Sequence, residues 1–90
     1  MNVLQTLSFK KALKKLHANQ KQQLDDAIKL IIANPNIGAP KKGDLAGISV
    51  YKFKMIKQPV LLAYHYQDET ITLTLLSLGT HENFYKSLKT

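Results

Sequence analysis

Two residues near the end of the chain, His81 and Tyr85, have side chains that can take part in proton transfer. They stand four apart in GTHENFYKSLK, Gly79 to Lys89. Gly79 and Thr80 read as a strand terminator followed by a helix N-cap. A spacing of four then puts His81 and Tyr85 on one face of a short final helix. An imidazole titrates near ~6.5 and works as general base or acid. A phenol donates a hydrogen bond or stacks on a base. Each also has a structural alternative. His81 would simply occupy the first turn of a helix, and Tyr85 would be a core aromatic, a role for which Phe84 competes.

A second set of candidates lies on two strand-like stretches. In Ile48–Ile56, Tyr51, Phe53 and Met55 alternate with Val50, Lys52 and Lys54, a period of two that buries the aromatics and turns both lysines to the opposite face. In Val60–Tyr66, Leu62, Tyr64 and Tyr66 share one face, and Leu61, Ala63 and His65 the other. Lys52, Lys54 and His65 are therefore expected on one open sheet face. There they would bind phosphate and serve as a second proton-transfer group, or else be a solvated strand face and a structural histidine.

Charge is the strongest global signal. Thirteen lysines face six acidic residues with no arginine, for a net charge of +7. On a small domain this points to a polyanionic partner, although a lysine-rich composition also occurs as a genome-wide habit.

The elements that must position these residues follow from periodicity. Asn2–Thr6 reads as a first strand. Ser8 is the expected cap of a helix with Phe9, Ala12, Leu13 and Leu16 inward and Lys10, Lys11, Lys14 and Lys15 outward. His17 is expected at its C-terminal end. Asn19 and Gln22 resemble a capping box for a second helix ending at Ala33, before Asn34-Pro35. A Gly/Pro-rich loop, Asn36–Gly47, leads into three strands, the last being Ile71–Leu78 with Ile71, Leu73 and Leu75 inward. Lys57-Gln58-Pro59 and Gln67-Asp68-Glu69 are the expected turns. The order is β-α-α-β-β-β-α. This is an α+β fold, with a helical hairpin on one face of an antiparallel meander and a short C-terminal helix.

Ninety residues, 44% of them apolar, make one domain, 1–90. No apolar run approaches the ~20 residues of a membrane span. The N-terminal charges follow the short apolar stretch, which is the wrong order for a signal peptide, so the expected location is the cytosol. There is no cysteine, and the three histidines lack compact ligand spacing, so no metal or small-molecule cofactor is expected.

KKGDLAG (Lys41–Gly47), YKFKMIKQPVLLAYHY (Tyr51–Tyr66) and LLSLGTHENFYKSLK (Leu75–Lys89), in this order and length, resemble the RelE/ParE superfamily of bacterial type II toxin–antitoxin toxins. The last segment is similar to the glycine–X–histidine ending, closed by an aromatic, of YafQ-like and related RelE-type members. The resemblance covers nearly the whole chain. It implies a ribosome-dependent mRNA interferase, a metal-independent endoribonuclease acting in the ribosomal A site of a bacterial cytoplasm. There the mRNA 2′-hydroxyl attacks the neighbouring phosphate, and a cognate antitoxin blocks the reaction.

That chemistry needs a base, an acid and cations around the phosphorane. The resemblance places His81 as base or acid, with Tyr85, Lys52, Lys54 and His65 as the remaining catalytic candidates. Lys41, Lys42, Asp44 and Lys57 would position RNA, with Asp44 and Lys57 flanking one cleft. The chain departs from the family's usual use of arginine, which grips phosphate bidentately where lysine is a point charge. Two other readings stand beside it: a ParE-like DNA gyrase inhibitor without nuclease residues, and a non-catalytic nucleic-acid-binding module.

Overall fold

The computed structural model describes residues 1–80. The final segment, with the expected C-terminal helix and with His81 and Tyr85, lies outside the described residues. The chain runs β1 (Asn2–Gln5), α1 (Leu7–Lys14), α2 (Ala18–Ala33), β2 (Ala39–Pro40), a 3₁₀ turn (Gly43–Leu45), β3 (Ser49–Met55), β4 (Gln58–Gln67) and β5 (Thr72–Gly79). The sheet order is β1-β5-β4-β3-β2, with β1 parallel to β5 and the other pairs antiparallel.

The helices lie on one sheet face because the period-two pattern gives them an apolar floor. Phe9 from α1 and Leu24 and Ile31 from α2 meet Met55, Leu62, Tyr64, Leu73 and Leu75, all nearly inaccessible to solvent. Tyr51, Phe53, Tyr66 and Leu78 extend this core at its margin. Burying each large apolar side chain contributes about 1.5–3 kcal/mol.

Three local expectations are corrected. Thr6, not Ser8, caps α1. Its hydroxyl accepts from the Phe9 N–H at 3.2 Å and donates to the Leu76 carbonyl of β5 at 2.6 Å, tying the helix start to the sheet. His17 does not end the first helix but caps the second, and its N–H donates to Gln20 Oε1 at 2.7 Å, so the box starts two residues earlier than Asn19–Gln22. Ile71 is not core. It is 53% exposed and takes a left-handed turn conformation, φ 49°, ahead of β5.

The turn between β3 and β4 is Ile56-Lys57 alone, with Gln58 and Pro59 already in β4. Both turn residues have positive φ, 49° and 68°. Such values suit a two-residue hairpin but strain side chains, above all a β-branched one. The Ile56 N–H is taken up by Gln23 Oε1 of α2 at 2.6 Å.

The sheet face away from the helices is not open at its centre. Val50, Leu61 and Ala63 are buried there, with Ile48 and Leu76 packed against them. Leu76 is the extra residue of a bulge: Ala63 pairs with Ser77, but Tyr64 pairs with Leu75.

Candidate functional site

β3 carries Lys52 and Lys54 on the face away from the helices, both exposed. Their cross-strand neighbours on β4 are Leu61 and Pro59. Leu61 in turn pairs with Gly79, the last residue of β5. One row thus runs Lys52–Leu61–Gly79 across three strands, about 10 Å from end to end at ~4.8 Å per strand. Lys57 sits in the turn at this same end of the sheet.

His65 shares the face but not the place. It pairs with Thr74, four residues along β4 from Leu61 and so about 13 Å away. Ala63 and its partner Val50 fill the space between. The His65 ring is held: Nδ1 lies 2.7 Å from the Gly47 carbonyl. A carbonyl can only accept, so Nδ1 carries the proton in this contact. Gly47 takes φ +89° to present that carbonyl, a conformation glycine adopts without strain.

Lys41, Lys42 and Asp44 lie in the β2–β3 connection, whose Gly47 carbonyl meets His65. The Lys41 N–H donates to the Ile48 carbonyl at 2.9 Å, Lys42 precedes the 3₁₀ turn, and Asp44 is exposed within it. Asp44 and Lys57 therefore do not flank one cleft. The seven residues of β3 separate them, about 20 Å. The structure brings together Lys52, Lys54, Lys57 and the exit of β5. It sets His65, Lys41, Lys42 and Asp44 apart as a second group.

On the helix side, the lysine end of the sheet borders a groove of about 430 Å³, with Met55, Val60 and Leu78 in its lining, together with Lys11 of α1 and Lys15 just after it. Among the described residues, no three His, Asp or Glu side chains are grouped to hold a metal. No described helix is long and apolar enough to cross a membrane.

Two features escaped the sequence. The Gly47–His65 bond joins a loop to a strand 18 residues on. The Tyr64 hydroxyl is likewise committed inside the fold, donating to the Pro35 carbonyl at 2.6 Å and accepting from the Gly38 N–H at 2.9 Å. A Cβ on Gly38 would stand 2.7 Å from that hydroxyl, which is the reason for glycine there.

A small α+β fold with an N-terminal strand and two helices on one face of the sheet is shared with solved RelE toxins. The free Escherichia coli RelE toxin, solved as a double arginine-to-alanine mutant, superposes with TM-score 0.76 at 19% identity, covering 98% of this chain and 90% of that one. The RelE chain of the intact E. coli RelBE toxin–antitoxin complex gives 0.70 at 23%, covering 88% and 94%. The YoeB/ParE toxin of Agrobacterium tumefaciens gives 0.70 at 20%, covering 90% and 99%. No curated protein matches the sequence. Residues 3–89 match the ParE-like toxin of type II bacterial toxin–antitoxin systems, and the chain belongs to that family.

Proposed function

We propose that this toxin is a metal-independent mRNA interferase that cuts message in the ribosomal A site, with Lys52 and Lys54 holding the scissile phosphate. The observation that carries the reading is the row Lys52–Leu61–Gly79. It sets an exposed pair of cations beside the exit of β5, and His81 follows Gly79 by two residues. The reading requires the imidazole of His81, which lies outside the described residues, to reach a phosphate held by the lysines, and two residues of chain from Gly79 span no more than about 7 Å. In this reading His81 takes the 2′-hydroxyl proton, and the lysine ammonium groups stabilise the charge developing on the phosphorane. Tyr85 hydrogen-bonds the phosphate or stacks on a base. The partners in this reading are mRNA on the ribosome and a cognate antitoxin, and the solved complexes of RelE with its antitoxin support the second by likeness.

A second reading is gyrase inhibition without chemistry. It is favoured by the strand beside the lysines, which offers Leu61 and Pro59 and no further charge to a phosphate.

The test is a reconstituted translation reaction with the purified chain, 5′ ends mapped by primer extension. Naked mRNA and a gyrase supercoiling assay run in parallel. Cuts confined to translated message, lost in His81→Ala and strongly reduced in Lys52→Ala, are expected. Blocked supercoiling with intact message would replace this reading with the second.

A further inference from the structure

The two edges of the sheet are finished differently. One edge strand, β2, ends in Pro40 and is followed by Lys41 and Lys42. Where β3 runs on past β2, it carries Lys52 and Lys54. Proline and lysine are devices that keep a sheet edge from pairing with another chain. The other edge strand, β1, pairs with β5 on one side and with no strand among the described residues on the other. It has neither device. Residues 1–9, MNVLQTLSF, hold no proline and no charged side chain, in a chain with 13 lysines and six acidic residues. Met1, Val3, Leu4 and Leu7 are 50%, 41%, 54% and 67% exposed.

The groups offered on this edge follow from how β1 pairs. The Asn2 N–H donates to the Ile71 carbonyl at 2.9 Å and the Thr6 N–H to the Leu75 carbonyl at 3.0 Å. Successive residues of a strand turn these groups to opposite edges, so Leu4 also faces β5. Val3 and Gln5 therefore present their N–H and C=O outward. Side chains alternate as well. Val3 and Gln5 stand in register with the core residues Leu73 and Leu75, on the helix face, and Leu4 stands beside Thr74 on the other face.

We propose that a second copy of this chain pairs antiparallel with β1, giving a two-fold dimer with one continuous sheet. Val3 of each copy lies opposite Gln5 of the other, the register that engages the outward N–H and C=O of both residues in both copies. Leu4 then meets its own counterpart on the two-fold axis, at a non-hydrogen-bonded position where the Cα atoms approach to about 4.5 Å. Charge favours a second copy over another occupant. An acidic segment finds no lysine within residues 1–9 to recognise, and two chains of +7 approach with least repulsion along an uncharged strip. Because the far edge is guarded, β1 meets only another β1, and the contact closes at two copies. Lys52, Lys54 and His65 take no part, so the pairing is independent of the nuclease reading.

The purified chain is followed by sedimentation equilibrium and amide hydrogen exchange from about 10 μM to 1 mM, in about 0.05 M and 0.5 M salt. A monomer–dimer equilibrium without larger species is expected. It should strengthen at least threefold at the higher salt, where the repulsion of two +7 chains is screened. The amides of Val3 and Gln5 should exchange at least tenfold more slowly as the dimer fills. Leu4→Lys and Leu4→Glu, at an exposed position, should each weaken association tenfold or more. An equal mixture of the two should associate at least tenfold more tightly than either alone, which a loss of folding would not produce. The chain has no cysteine, so Leu4→Cys reports the axis directly. On oxidation with diamide it should cross-link at least tenfold faster than Leu7→Cys, although Leu7 is the more exposed. A monomer at every concentration, association weakened by salt, no recovery in the mixture, or equal cross-linking rates would each overturn the proposal. So would slowed exchange of Val3 and Gln5 only on addition of a blocked peptide alternating Val and Glu, which would give the edge to a different protein.

Discussion

At the scale of single residues, distance separates groups that share a face. Lys52 and Lys54 stand beside the end of β5, whereas His65 is four residues up β4 with its Nδ1 committed to Gly47. If the sheet face cuts RNA, Lys52→Ala should lower cleavage by about 10²-fold, the usual cost of losing one group that stabilises transition-state charge. His65→Ala should leave the rate within about threefold and cost about 0.5–1.5 kcal/mol of stability, the net value of one hydrogen bond. Primer extension and urea denaturation on both variants separate the two effects. Tyr64 is a purely internal matter. Tyr64→Phe would strand the Gly38 N–H and the Pro35 carbonyl, for an expected loss of about 1–3 kcal/mol in a urea melt.

At the scale of elements, two junctions carry more than their length implies. Thr6 caps α1 and anchors it to β5 through Leu76. Thr6→Ala should lower stability by about 1–2 kcal/mol, with Thr6→Ser recovering most of it, since serine keeps the accepting and donating oxygen. The β3–β4 turn stores strain instead. Ile56 and Lys57 both occupy left-handed backbone, which Asn-Gly adopts readily in a two-residue hairpin. Replacing them, Ile56→Asn with Lys57→Gly, should raise stability by about 1 kcal/mol, visible as a higher denaturation midpoint at unchanged slope.

At the scale of the whole molecule, if the chain binds RNA, its charge of +7 with no arginine makes that association a matter of point charges. Affinity for a single-stranded RNA oligonucleotide should fall linearly on a log–log plot against salt. Lys52→Gln and Lys54→Gln should each reduce the slope by about 0.7 if each ammonium meets a phosphate. Fluorescence anisotropy across a salt series reads this directly. An unchanged slope would place the RNA contact on other lysines, such as those of α1.

The sequence alone determined the class of the main described helices and strands and the face most of their residues take. Period-two alternation put Lys52 and Lys54 opposite Tyr51 and Phe53, helical spacing named Phe9 as inward, and Asn34-Pro35 marked the end of α2. These are local properties, written in neighbouring residues. Only the tertiary structure decided what was near what. It moved the α1 cap to Thr6 through a bond 70 residues long, paired β1 in parallel with β5, and divided the candidate residues between the two ends of the sheet. It also buried Val50, Leu61 and Ala63 on the face expected to be open. Register and strand order depend on the free energy of the packed sheet as a whole, and no window along the chain contains that quantity.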